Sequence, residues 1–194
     1  DTTPPAPSVD AGAIARLGVR APYVLAVGAD ERRKNLPLLA RAMARLVADG
    51  EPITLVLAGP RRNRAAADWT RAPWVHTLGF VSEPDLASLY RQAALFAMPS
   101  TYEGFGLPAL EAMHLGTPVV CTNLASLPEV VGDAATFVDP NDDEALAITI
   151  KHLLHHPAAR AHLAAAGLKR SSLFTWQHTA AQTLAVLKEA QCSA

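Results

Sequence analysis

Short apolar runs alternate with stretches of helical periodicity along most of this chain, and that alternation is the strongest constraint on its fold. Pro22–Val27 is an apolar run that ends at Gly28, as a buried parallel strand reads. From Asn35 onward Leu36, Leu39, Ala40, Met43 and Val47 recur on one helical face, and Asp49-Gly50 closes the segment. The next apolar run, Ile53–Ala58, ends at Gly59-Pro60, so the three units make a β-α-β pair with a crossover long enough for parallel strands. The same reading predicts strands at Trp74–Leu78, Ala94–Met98, Pro118–Cys121 and Ala134–Val138. Between them it predicts helices over Glu83–Gln92 and Gly106–Leu115 and a short segment at Leu127–Val131. Asp139–Asp142 reads as loop and cap, followed by helices near Asp143–His155, Ala158–Phe174 and Trp176–Gln191. The expected architecture is α/β: a Rossmann-like, doubly wound, mostly parallel sheet with C-terminal helices. The expected organisation is a linker over residues 1–20, an α/β domain over 21–175 and a C-terminal helix over 176–194. The Pro-rich opening, Asp1 to Ser8, and the missing initial Met give the expectation of a piece of a longer protein.

Seventeen basic against eighteen acidic residues leave a net charge of −1, so no general field recruits nucleic acid or an anionic membrane. An anion has to be bound locally. No apolar stretch approaches the roughly 20 residues of a spanning helix. The two cysteines, Cys121 in an apolar run and Cys192 near the end, make no disulfide framework, and a reducing compartment is the simpler reading.

In such sheets ligands bind beyond the carboxyl ends of the strands, where Gly28, Gly59, Gly79 and the segment Ser100 to Gly106 fall. The sharpest feature there is Glu103-Gly-Phe-Gly-Leu-Pro-Ala-Leu-Glu111, two carboxylates at a handover from strand to helix. Gly104 and Gly106 permit close backbone approach, and the free N–H groups of a helix start receive an anion or a hydroxyl. A carboxylate such as Glu111 can accept from two neighbouring hydroxyls, as a cis-diol offers them.

This stretch resembles the glutamate-seven-glutamate signature of the retaining glycosyltransferase family 4, the group 1 glycosyl transferases, whose members have the two-domain GT-B fold. The context is similar as well. Val27-Gly-Ala-Asp-Glu-Arg-Arg-Lys-Asn35 resembles the family's phosphate loop, Leu78-Gly-Phe-Val81 its base-binding loop, and Gly116-Thr-Pro-Val119 the strand entry after the signature helix. The resemblance runs from about Pro22 to Ala190.

It implies the donor-binding half of a bacterial enzyme of polysaccharide biosynthesis that moves a hexose, of mannosyl or glucosyl type, from a GDP- or UDP-sugar with retention. Lys34 with an arginine would neutralise the donor diphosphate. This chain has Ala29 where many relatives carry arginine, so the partner is Arg33 or Arg32. Glu103 would face the donor sugar, as a positioning group or as a nucleophile. Phe105, Gly106 and Leu107 would offer amides to the sugar or phosphate, Glu111 would take the ribose, and Gly28, Phe80 and Val81 would complete the donor site. No cofactor and no metal are expected. The partners implied are the nucleotide sugar and an N-terminal acceptor-binding domain outside this sequence, through which peripheral membrane association is open. The location implied is the cytoplasm or the inner face of the membrane.

Plainer readings stand beside these. A nucleotide-binding or interaction module without chemistry would share the fold. A dinucleotide oxidoreductase is disfavoured because no Gly-x-Gly-x-x-Gly follows the first strand. Asn35 reads as a helix N-cap. His152, His155 and His156 read as surface residues, His114 as an ordinary helix side chain, and Trp69, Trp74 and Trp176 as packing residues.

Overall fold

A computed structural model describes residues 12–60 and 68–192 of the chain. A helical turn, α1 (Ala13–Arg16), precedes strand β1 (Tyr23–Val27), helix α2 (Leu36–Ala48) and strands β2 (Thr54–Ala58) and β3 (Val75–Gly79). Then come α3 (Glu83–Gln92), β4 (Leu95–Met98), α4 (Leu107–His114), β5 (Val119–Thr122), α5 (Leu127–Val131) and β6 (Ala135–Val138). Helices α6 (Asp143–His155), α7 (Pro157–Ser171) and α8 (Trp176–Cys192) complete it.

The six strands form one sheet in the order β3-β2-β1-β4-β5-β6. Every pairing is parallel, from Tyr23 opposite Thr54 to Thr122 opposite Val138. This is the doubly wound order whose direction reverses between β1 and β4, and a ligand crevice opens at such a reversal. The two-residue period of a strand divides the core. Tyr23 and Leu25 of β1, with Phe96 and Val119, face Leu89, Tyr90, Ala112 and Met113. Val24 and Ala26, with Leu95, Ala97 and Val120, face Leu39, Met43, Leu46, Leu146 and Ile150. Helices thus cover both faces, and the central strands β1, β4 and β5 read as continuous apolar runs because neither of their faces meets water. Truncating one fully buried leucine, such as Leu39, costs about 2–5 kcal/mol.

Two expectations change. The linker does not reach residue 20: Ala13, Ile14 and Val19 are buried, and Arg16 pairs with Asp85 of α3 at 3.0 Å. An apolar pair spaced to face the sheet makes this segment part of the domain; the Pro-rich opening itself lies outside the described residues. Trp176 is no packing residue, being 82% exposed. Trp69 and Trp74, as expected, pack half-buried against the second core. The last helix begins where expected, but its described side chains are exposed throughout, unlike those of α6 and α7. No helix among the described residues is long and apolar enough to cross a membrane.

Candidate functional site

The carboxyl ends of β1 and β4 deliver two loops to the reversal point. After β1 the chain passes Gly28 and makes a tight helical turn, Arg32–Lys34, before α2. After β4 it runs through Ser100 to Gly106 into α4. Thr101 joins the loops, its amide donating to the Arg33 carbonyl at 2.8 Å and its hydroxyl to the same oxygen at 3.3 Å. That anchor holds the backbone at Arg33 against the second loop.

Glu103 sits between two cations. Lys34 Nζ lies 2.8 Å from its Oε1, and Arg33 Nη1 donates to its Oε2 at 2.8 Å. Glu103 is 6% exposed and Lys34 8%, whereas Arg33 stays half-exposed at the mouth. Burial alone would raise the Glu103 carboxyl. The Lys34 ammonium on its oxygen, the Ser100 hydroxyl nearby and the charges of Lys34 and Arg33 outweigh it, so the group ionises below the ordinary carboxylate range. Arg33 is oriented further by Glu31, which accepts from its Nε at 2.8 Å. Arg32, the other arginine the sequence left open, is exposed.

Gly28 makes room for this arrangement. Its φ of +125° is left-handed backbone, and a Cβ there would lie 3.2 Å from Lys34 Cε and 3.4 Å from Nζ. Any side chain would press on the lysine that crosses the strand end. The crevice lined by Gly28, Lys34 and Ser100 holds only about 20 Å³, because the lysine fills it.

Gly106, at φ +99°, starts α4. A Cβ there would come within 2.7 Å of Leu127 Cδ2, so glycine lets the helix start pack onto α5. Ser126 ties the same loop by donating to the Glu103 carbonyl at 3.0 Å. Phe105 and Leu107 are exposed, the Phe105 ring meeting Phe174 edge-on at 5.9 Å. With Leu110 and Trp176 they line an open cavity of about 370 Å³, and an adjoining one of about 300 Å³ reaches Glu111 and His114.

Glu111 is exposed on α4, and Tyr90 of α3 donates its hydroxyl to Oε2 at 3.1 Å. Phe80 stands 87% exposed beyond β3, while Val81 packs half-buried on the core. The expected residues therefore share the carboxyl edge of the sheet as a cationic corner at Lys34, Arg33 and Glu103, the α4 start, and Glu111 beside the Tyr90 hydroxyl. Asn35 corrects its reading as a side-chain cap. It occupies the N-cap position at φ +50°, but its side chain caps nothing and donates to the Pro140 carbonyl at 2.8 Å. His152, His155 and His156 lie on the surface, His155 against Glu51 at 3.0 Å and His152 stacked on His156. Among the described residues no group of three or more side chains is placed to hold a metal ion.

Tyr90, Ser100, Thr101, Ser126 and Glu31 were missed by the sequence reading. Tyr90, Thr101 and Ser126 each act on a residue in another loop or helix, and no local spacing signals such a contact. Ser100 and Thr101 fall in the strand-end segment and Glu31 in the loop after β1, so their positions pointed toward the site while their roles did not show.

Comparison with known proteins adds three findings. The profile of the family described as glycosyl transferases group 1 matches residues 14–170. Among curated proteins the chain is 41% identical to the O-antigen chain mannosyltransferase B of Escherichia coli, over 86% of this chain and 45% of that protein. It is 35% identical to the MMP alpha-(1->4)-mannosyltransferase of Mycolicibacterium hassiacum, over 89% and 44% respectively. The chain thus spans less than half the length of these relatives. Among solved structures, sucrose-phosphate synthase from Thermosynechococcus elongatus superposes with a TM-score of 0.78 at 29% identity, over 95% of this chain and 50% of that one. HepE of Anabaena, solved in complex with UDP-glucose, gives a TM-score of 0.75 at 23% identity, a likeness of fold, over 91% and 51%.

Proposed function

The chain belongs to the glycosyl transferases group 1 family, and from that premise we propose that it is the donor-binding half of a retaining hexosyltransferase of GT-B fold, drawing on a nucleoside-diphosphate sugar. The observation that carries this reading is the triad at the sheet reversal, where Lys34 and Arg33 each meet one oxygen of Glu103 at 2.8 Å. A carboxylate held ionised between two cations is a preset electrostatic environment for a departing diphosphate and the sugar it leaves. As the diphosphate gains charge, Arg33 at the mouth and Lys34 behind it share their positive charge between the phosphate and Glu103. The carboxylate, held from both sides, positions the sugar rather than wandering as a free base.

Phe105 and Leu107 are exposed on either side of Gly106 at the start of α4, and the free N–H groups of a helix start would meet a sugar hydroxyl or phosphate oxygen there. Glu111 takes the ribose hydroxyls, and Phe80 and Val81 lie beyond β3 where the base would rest. The named relatives are mannosyltransferases, and HepE was solved with UDP-glucose, which supports a mannosyl or glucosyl donor. The acceptor site belongs to the part of the relatives that this chain does not span.

Two experiments test the reading. Binding of UDP, GDP, ADP and their hexose conjugates identifies the donor. Turnover is then compared between this chain and the longer protein on one donor and acceptor, with donor saturation checked in each. The chain alone should bind donor and transfer almost none, because water exclusion and acceptor positioning need a second wall of the cleft. Equal turnover by the chain alone would overturn the half-enzyme reading.

A further inference from the structure

Tyr90 is 1% exposed and wedged against Phe96, with ring centroids 5.5 Å apart. A tyrosine so buried needs a partner for its hydroxyl, and here the partner is the exposed carboxylate of Glu111 on another helix. The tyrosine backbone is tied as well. Thr117, in the turn after α4, donates to the Tyr90 carbonyl at 2.7 Å, and the preceding Leu89 carbonyl accepts from the Tyr23 hydroxyl of β1 at 2.7 Å. The C-terminal part of α3 is therefore fixed to β1, to α4 and to the turn beyond it. An exposed glutamate on a helix ordinarily samples several rotamers and loses that freedom on meeting a ligand. Glu111 has one oxygen restrained beforehand, and among the described hydrogen bonds its Oε1 has no partner.

The geometry points to Tyr90 as a positioning residue for nucleotide recognition: its hydroxyl holds Oε2 of Glu111 so that the carboxylate is presented ready for both hydroxyls of a ribose, making the site selective for ribonucleotides over their 2′-deoxy forms. This rests on Glu111 being the ribose ligand. Burial first, and then the charge of Glu111 and the hydrogen bond to it, push the tyrosine hydroxyl well above its ordinary range, so it remains a donor wherever the fold persists. Helix α3 also follows directly on Phe80 and Val81, so the element that carries the tyrosine links the base end of the site to the ribose end.

The test uses UDP, GDP and ADP with their 2′-deoxy analogues, titrated calorimetrically against the chain and its variants. The ratio of ribo to deoxyribo affinity is the readout, since a loss of packing weakens both ligands alike. Tyr90→Phe, which removes one oxygen and keeps the ring, should reduce that ratio by roughly fivefold, the scale of one net hydrogen bond. Glu111→Ala should abolish the preference, and adding Tyr90→Phe to it should change nothing more. A crystal structure of the chain bound to UDP, in which the Tyr90 hydroxyl should stay on Oε2 while the ribose hydroxyls meet the carboxylate, gives a readout even if the Phe variant proves too unstable to titrate. An unchanged ratio in Tyr90→Phe with the ratio lost in Glu111→Ala, or a Tyr90 hydroxyl that leaves Glu111 in the UDP complex, overturns the positioning role alone. An unchanged ratio in Glu111→Ala overturns the ribose assignment, and the positioning role with it.

Discussion

Glu103 and Glu111 are the same residue type eight positions apart, yet their surroundings are opposite. Glu103 is buried and saturated, with a cation on each oxygen and a pKa driven below the ordinary range. Glu111 is exposed and holds a single neutral hydroxyl from Tyr90. The difference teaches that a spaced pair of acids need not share a task. One carboxylate is part of the architecture that holds Lys34 and Arg33 at the sheet reversal, and the other is left able to accept hydroxyls from outside. Substitutions at the first should therefore disturb the paired charges and the fold most, and at the second, ligand binding most, with a smaller cost at the Tyr90 hydroxyl.

The largest effect is expected from Glu103→Leu. Removing one partner of a buried pair strands the nearly buried Lys34, and denaturant unfolding should show a loss of about 3–5 kcal/mol. A loss within roughly 0.5 kcal/mol, the range of ordinary surface changes, would erase the contrast. Next is Glu111→Ala, which should weaken nucleotide binding roughly tenfold or more, as loss of hydrogen bonds to a charged group implies, and cost about 1–3 kcal/mol of stability by leaving the buried Tyr90 hydroxyl without its partner. Lys34→Met should weaken a nucleoside diphosphate far more than the free nucleoside, because the lost partner belongs to the pyrophosphate. Equal weakening of both would assign Lys34 to the fold alone.

The smallest effect is in pH. The folded-state pKa of Glu103 is depressed, so its contribution is present above the unfolded carboxylate pKa, about 4.3, and is lost as pH falls through the lower folded value. The stability difference between the wild-type chain and Glu103→Gln should therefore be constant near neutrality and shrink below about pH 4. A difference that persists undiminished at still lower pH would show that Glu103 is not held ionised by its cations.

Much of this was legible because the signals are local. β1 was expected at Pro22–Val27 and lies at Tyr23–Val27; α6 was expected and found at Asp143–His155. In each case a strand or helix period over adjacent residues decides the matter. The glycines and acids of the strand-to-helix handover were legible for the same reason. What was not legible depends on partners far along the chain. Arg33 is distinguished from Arg32 by its contact with Glu103 far along the chain, and Glu111 is restrained by Tyr90, which lies on another helix with no pattern linking the two. Trp176 failed in the other direction, since a large apolar residue is ordinarily taken as core and here it lines an open cavity with Phe105 and Phe174. Asn35 sits where a cap belongs, but the Pro140 carbonyl competes successfully for its side chain.

The central claim, that the carboxyl edge between Lys34 and Glu111 receives a nucleotide sugar, is tested most directly by amide hydrogen exchange of the chain with and without its best-binding donor. The account predicts slowed exchange at Gly28, at Gly104 to Leu107 and around Phe80 and Val81, with strand β6, Ala135–Val138, at the far edge of the sheet unaffected. Saturating donor that leaves Gly104 to Leu107 unprotected, or protects only that far edge, would contradict it.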